Sequence, residues 1–285
     1  MVSMNAANKI PLSFFEDDTI EAALSSAPST PGDTVAASIV KAALNVHRVG
    51  LVTTSDDEVR LIPFHGLSAE WKLTADLDEE YHISYPGYIS SKNGPKSSNA
   101  TLDEIQRQIT GGNIPATDFT YLGSANDDAA NSVFAKIICG ELEQWRVWES
   151  ASHVAFLTPF GNTPGFTVLV PRKPLGSDIL AMAEPDLREL TAAIWDVSHL
   201  LQSSPALGAS RVGLIFEGME IDYAHAKLIP ILDKDLGNPE QHVPEAIFTD
   251  VYTGSISSKP GPPADLDALQ ELQVRLLRAA ETQKS

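Results

Sequence analysis

Residues 211–232 read RVGLIFEGMEIDYAHAKLIPIL, and residues 48–66 read RVGLVTTSDDEVRLIPFHG. Both open on RVGL and both carry an LIP. Beyond it, GYISSKNGP from Gly87 matches GSISSKPGP from Gly254, and each glycine follows its own proline, Pro63 or Pro230, by 24 residues. Equal spacing across a divergent stretch reads as an internal duplication, a feature that governs every later assignment. A helical pattern precedes each RVGL: TVAASIVKAAL (34–44), and EPDLRELTAAIWDVSHLL (184–201), where Leu187, Leu190, Ile194, Val197 and Leu201 recur at spacings of three and four. Pro185 suits the first turn of the second helix. Two short β-rich runs follow in each copy: RVGLVTT with EVRLIPF, and RVGLIFEG with IDYAHAKLIPI. Each copy closes on a helix after its ISSK turn. These are LDEIQRQI (102–109) and DLDALQELQVRLLRAAE (265–281), the latter expected to place Leu266, Leu269, Leu272, Leu276 and Leu277 on one face.

Only the second copy is preceded by an extra block, Ser132 to Lys173, read as a short helix or turn, strands around RVWES and HVAFLTPF, a Gly/Pro turn and the apolar strand FTVLVP. That is antiparallel α+β character. The polar linker TYLGSANDDAAN (120–131) divides the chain into a truncated, degenerate repeat over 31–125 and a more complete domain with a helical extension over 126–285; the Ser/Pro-rich segment 1–30 carries little pattern. The composition, 285 residues with 43% hydrophobic and 20% charged, is that of a folded globular chain. A net charge of −18 repels phosphate backbones and anionic lipid, so neither nucleic acid nor membrane is an expected partner. The single cysteine, Cys139, excludes an internal disulfide and reads as a small buried apolar residue. With no apolar signal region and no long apolar span, a soluble cytoplasmic protein is expected.

Three motifs in order, F-x-K-I-I-x-G-E at Phe134–Glu141, V-A-F-L followed by P-G-x-T-V-L-V-P within Val154–Pro171, and Y-A-H-A-K-L-I-P at Tyr223–Pro230, resemble the histidine triad (HIT) superfamily of nucleotide hydrolases and transferases. The resemblance covers about 132–232 and implies a HIT-like antiparallel sheet with helices. It also implies a tandem pseudo-dimer like that of the related galactose-1-phosphate uridylyltransferase class. In that family the middle histidine of the strand attacks an α-phosphorus to give a nucleotidyl-histidine, so His225 is the implied nucleophile. The flanking triad positions are Tyr223 and Lys227, and the position aligned with His225 in the first copy is Glu58, which makes that copy catalytically dead. The chain departs from the family at other polar positions: Pro174 replaces a histidine after the apolar strand, Phe166 follows Gly165 where a histidine is usual, and Thr158 replaces a ribose-binding acid.

Tyr223, His225 and Lys227 alternate along one strand and therefore share a face. A lysine aimed into a β-rich core is unusual, and an ammonium is a good point-charge partner for phosphate. Glu217 opens the turn before this strand, where the family's loop meets the phosphates. Arg172 and Lys173 follow an apolar strand and read as solvated charges or an anion clamp; with Glu217, Thr158 and Phe166 they complete the candidate substrate contacts. The remaining histidines, His47, His65, His82, His153, His199 and His242, show no ligand spacing, so neither a metal nor a cofactor is expected. Three readings stay open. One is a divergent HIT-type hydrolase or nucleotidyl transferase. Another is a HIT-like enzyme repurposed for acid/base chemistry (lyase, isomerase or cyclase) on a small secondary-metabolic substrate. The third is a non-catalytic pseudoenzyme, and either a monomer or a homodimer fits an internal repeat.

Overall fold

The computed structural model describes residues 10–11, 33–55, 58–124, 128–232, 243, 245–247 and 249–283. Most of the N-terminal segment 1–30, linker residues 125–127 and His242 lie outside these. Among the described residues the strands are β1 (Ile10–Pro11), β2 (Val49–Ser55), β3 (Glu58–Pro63), β4 (Trp145–Glu149), β5 (His153–Leu157), β6 (Thr167–Pro171), β7 (Ala209–Phe216) and β8 (Ala226–Leu232). The helices are α1 (Val35–Leu44), α2 (Asn99–Thr110), α3 (Val133–Ile138), α4 (Glu184–Ser203) and α5 (Leu266–Gln283). The fold is α+β: one antiparallel sheet ordered β1-β3-β2-β7-β8-β6-β5-β4.

Local chemistry sets the helix limits. Thr34 caps α1 through Ala37 N–H at 3.4 Å and Asn45 ends it in the left-handed region; Ser98 caps α2, Gly111 ends it with φ 61°, and Ser132 caps α3. On α4, Leu187, Leu190, Ala193, Val197 and Leu201 are buried, with Ile194 packed beside them. Helix α5 departs from the expected stripe. Leu276 is buried and Leu272, Ala279 and Ala280 pack on the core, whereas Leu266 and Leu277 face solvent, because the contact arc of this helix is narrower than the leucine pattern. Cys139, the C-cap of α3, is half-buried rather than fully buried. No described helix is long and apolar enough to cross a membrane.

The sheet's two faces are covered differently. One meets α1, α2, α4 and α5 through Leu51, Leu61, Leu169, Leu214 and Leu228. The other meets α3 and irregular chain, with Phe64, Ile89, Phe134, Phe156, Tyr223 and Ile256 in one buried cluster. Burial of each such side chain contributes about 1.5–3 kcal/mol.

The two RVGL strands, β2 and β7, lie side by side at the centre of the sheet. Leu51 pairs with Phe216, Val52 with Ile215 and Thr53 with Leu214, so each strand offers the other the same positions. The ISSK segments do likewise. Ser91 N–H donates to Ile256 O and Ser258 N–H to Ile89 O, both at 2.9 Å. Ile89 N–H donates to Ser258 Oγ at 2.9 Å and Ile256 N–H to Ser91 Oγ at 2.8 Å. Tyr85 N–H meets Leu232 O and Tyr252 N–H meets His65 O. Segments of similar sequence are thus bonded to each other reciprocally, about a local two-fold relation.

Gly50 sits at this seam. A Cβ there would lie 2.6 Å from Phe64 Cζ and 2.9 Å from Phe216 O, and Phe64 is itself fully buried and stacked on Tyr252 at 4.3 Å. Gly50→Ala is expected to destabilise by about 1–3 kcal/mol, read as a lower urea midpoint. An unchanged midpoint would mean that the ring yields freely.

Candidate functional site

Strand β8 and its lead-in carry Tyr223, His225 and Lys227 toward the face without the long helices, while Ala224, Ala226 and Leu228 pack toward those helices. The one-face placement follows from strand alternation. All three are buried: Tyr223 is 0% exposed, His225 4% and Lys227 7%.

His225 Nδ1 lies 2.7 Å from the backbone carbonyl of Tyr223. A carbonyl only accepts, so Nδ1 carries the proton and Nε2 the lone pair. Burial, then the nearby charge of Lys227 with a smaller push from Arg48, lowers the pKa of His225 to about 4, so the ring is neutral at pH 7. The Phe134 ring packs 5.1 Å away. The Tyr223 hydroxyl donates to Pro171 O at 2.8 Å, and burial pushes its pKa well above the ordinary tyrosine value.

Lys227 is not a free cation. Its Nζ donates to Glu217 Oε2 at 2.7 Å and to Ser91 O at 3.2 Å. The other oxygen of Glu217 accepts from Ser91 Oγ at 2.9 Å and from Tyr252 OH at 2.7 Å. Glu217 is 6% exposed, so the pair and its partners form a buried, fully hydrogen-bonded network. Burial and the Glu217 carboxylate together raise the Tyr252 pKa. The turn after Glu217 is pinned from the first half: Trp71 Nε1 donates to Gly218 O at 2.9 Å, and Arg48 Nη2 donates to Gly218 O at 3.2 Å and to Ser177 Oγ at 3.0 Å. Arg60, one residue before the LI of the other LIP string as Lys227 is before its own, donates to Ser258 O at 3.0 Å as Lys227 does to Ser91 O; Glu58, two residues before Arg60 as His225 is before Lys227, is ion-paired to Arg60 at 2.6 Å.

The other candidates fall elsewhere. Arg172 is neither a solvated charge nor open to an anion. It is 0% exposed, donating to Ser150 O, Asp118 O, Thr120 O and Glu149 Oε2 at 2.7–3.2 Å, because the 118–120 segment folds over it and supplies carbonyls. Lys173 is the exposed one, paired with Asp186 at 2.9 Å. Thr158 Oγ1 accepts from Phe160 N–H and shapes the turn after β5. Phe166 is a core residue in the cluster that holds Tyr223. The sequence reading missed Ser91, Tyr252 and Arg48, and for the first two a signal was present: Tyr85 and Tyr252 precede their ISSK strings at equal distance, and Ser91 lies within one.

No family model matches the sequence. Among solved structures, the chain is similar to a HIT-like protein involved in cell-cycle regulation from Bartonella henselae, at 22% identity over 37% of this chain and 83% of that one, with a TM-score of 0.31. A HIT family protein from Bacillus anthracis is 18% identical over 53% and 96%, TM-score 0.38. A hypothetical histidine triad nucleotide-binding protein from Sulfolobus tokodaii is 22% identical over 53% and 93%, TM-score 0.33.

Proposed function

We propose that this chain is a divergent HIT-type nucleotide hydrolase or nucleotidyl transferase acting at an α-phosphate through His225. The observation that carries the reading is the imidazole itself. Burial and two neighbouring cations keep it neutral, and its Nδ1–H is anchored on the Tyr223 carbonyl, so Nε2 has its lone pair available to a phosphorus. Attack by Nε2 forms an N–P bond as the bond from phosphorus to the leaving group breaks. Water then attacks phosphorus, the N–P bond breaks, and the neutral ring returns. Lys227 stands two residues on, at the same face, to stabilise charge on the phosphoryl oxygens. The reciprocal pairing of β2 with β7, and of the two ISSK segments, supports reading 31–125 as a degenerate partial repeat of 126–285, and Glu58 supports its being inert.

A second reading draws on the Glu217 carboxylate, which neutralises Lys227 and would oppose a phosphate. It favours an uncharged substrate and acid/base chemistry among Tyr223, His225 and Lys227, of the lyase, isomerase or cyclase kind.

Wild type and His225→Ala incubated with a fluorogenic adenosine phosphoramidate and with diadenosine polyphosphates separate the two readings. The nucleotide reading expects AMP release, and an adduct of AMP mass on the intact protein that disappears in the mutant. No release, no adduct and no thermal stabilisation by AMP would remove it.

A further inference from the structure

Asn162 lies in the turn between β5 and β6, inside the block that precedes only the second copy, yet its side chain is buried against the first half. Nδ2 donates to Ser90 O and to Lys92 O, both at 2.9 Å. Carbonyls only accept, so the nitrogen is the carboxamide atom that faces them, and both of its hydrogens are spent. The backbone on either side repeats the attachment: His82 N–H donates to Asn162 O at 2.8 Å, Gly94 N–H to Phe160 O at 2.7 Å and Ser97 N–H to Pro159 O at 2.8 Å. A Cβ on Gly94 would lie 2.3 Å from Gly161 O, so the approach requires glycine.

Between the two clamped carbonyls stands Ser91, whose own polar groups are turned to the His225 site. Its carbonyl accepts from Lys227 Nζ at 3.2 Å, and its hydroxyl donates to Glu217 Oε1 at 2.9 Å. Lys227 Nζ is also 2.7 Å from Glu217 Oε2. An ammonium carries three tetrahedrally placed N–H donors. Two are committed to Ser91 O and Glu217, and the third has no partner among the described residues. The positions of the two acceptors therefore set the direction of the third N–H. Glu217 is kept in place by the Ser91 and Tyr252 hydroxyls, and Ser91 by the clamp on the carbonyls at either side of it.

We propose that Asn162 is a positioning residue of the His225 site, fixing the Ser90–Lys92 backbone so that Ser91 O and Glu217 together aim the remaining N–H of Lys227 at a phosphoryl oxygen. Asn162 touches no substrate and acts through Ser91 and Lys227. That Lys227 serves a phosphoryl oxygen rests on the nucleotide reading above; the contacts from Asn162 to Lys227 stand without it.

Asn162→Ala in the full-length protein is the test, with Asn162→Ser, which keeps one donor, as the second variant should the first fail to fold. On the fluorogenic adenosine phosphoramidate, kcat is expected to fall about tenfold or more with KM within about twofold, since a charge aimed at the transition state is lost while ground-state binding is kept. Trace acetylation, read lysine by lysine by mass spectrometry, is expected to modify Lys227 about tenfold faster in the variant, because hydrogen bonds to a charged group hold it in the wild type. Lys41, which sits in its own ion pairs with Asp33 and Asp178, is expected to keep its rate. Lys227 labelled at the wild-type rate in a folded variant, Lys41 accelerated equally, or an unchanged kcat would overturn the proposal. A wild-type protein without turnover would overturn the nucleotide reading and the phosphoryl role with it, while the labelling ratio alone decides whether Asn162 positions Lys227.

Discussion

Lys227→Met is expected to destabilise the protein by about 3–5 kcal/mol, because it leaves the Glu217 carboxylate buried without its counter-charge. For a chain of this size that is a fall in Tm of roughly 10 °C. The remaining donors on Glu217, the Ser91 and Tyr252 hydroxyls, are neutral and compensate only in part. Adding Glu217→Gln removes the stranded charge while keeping an acceptor for both hydroxyls, so the double variant is expected to recover much of the loss. The two single variants and the double close a thermodynamic cycle, and urea unfolding of all four proteins gives the coupling. A single Lys227→Met that unfolds within about 1 kcal/mol of wild type would show that the pair is not carrying this part of the fold.

The same network shows where reading the sequence stops. The alternation in YAHAK is a local property of the chain, and it correctly places Tyr223, His225 and Lys227 on one face. RVGL and LIP mark strands because β-branched and aliphatic runs have few other ways to be buried, and those strands form. What encloses the site is not local. Ser91 and Tyr252 reach Glu217 because the two ISSK segments pair with each other, a contact between residues 126 and 35 positions from Glu217 that no periodicity encodes. The tyrosine in each copy was visible as a match, but its role was not, since a repeated residue can as well be packing. Arg172 shows the converse limit. A cation just past an apolar strand has the appearance of surface charge, and it is buried only because residues 118–120, from the far side of the linker, bring their carbonyls to it. Leu266 and Leu277 were assigned to the packed stripe of α5 from spacing alone, but the width of that stripe is set by the neighbouring α1, which the spacing does not contain.

A marked loss of stability is expected between pH 6.5 and about pH 4, and two buried histidines set that window. His153, 3% exposed at the start of β5, has Nδ1 on Ser152 Oγ at 2.9 Å and Nε2 without a partner among the described residues; burial lowers its pKa to about 4. His225 is lowered to about the same value, chiefly by burial and then by Lys227. In the unfolded chain both titrate near 6.5, so between 6.5 and 4 the unfolded state binds more protons than the native state, and stability falls as the pH falls. Each pKa unit is worth about 1.4 kcal/mol, so each histidine withdraws about 3 kcal/mol, fully gone once the pH is below 4. His65 is shifted the same way and adds to the slope, whereas Asp76 and Asp118, whose carboxyls are held below the usual range, act only in more acid solution. Urea unfolding at half-unit steps from pH 7.5 to 4 measures the slope. His153→Leu is expected to remove nearly half of it, and a wild-type stability flat from pH 7 to 5 would mean that neither imidazole is held neutral by burial.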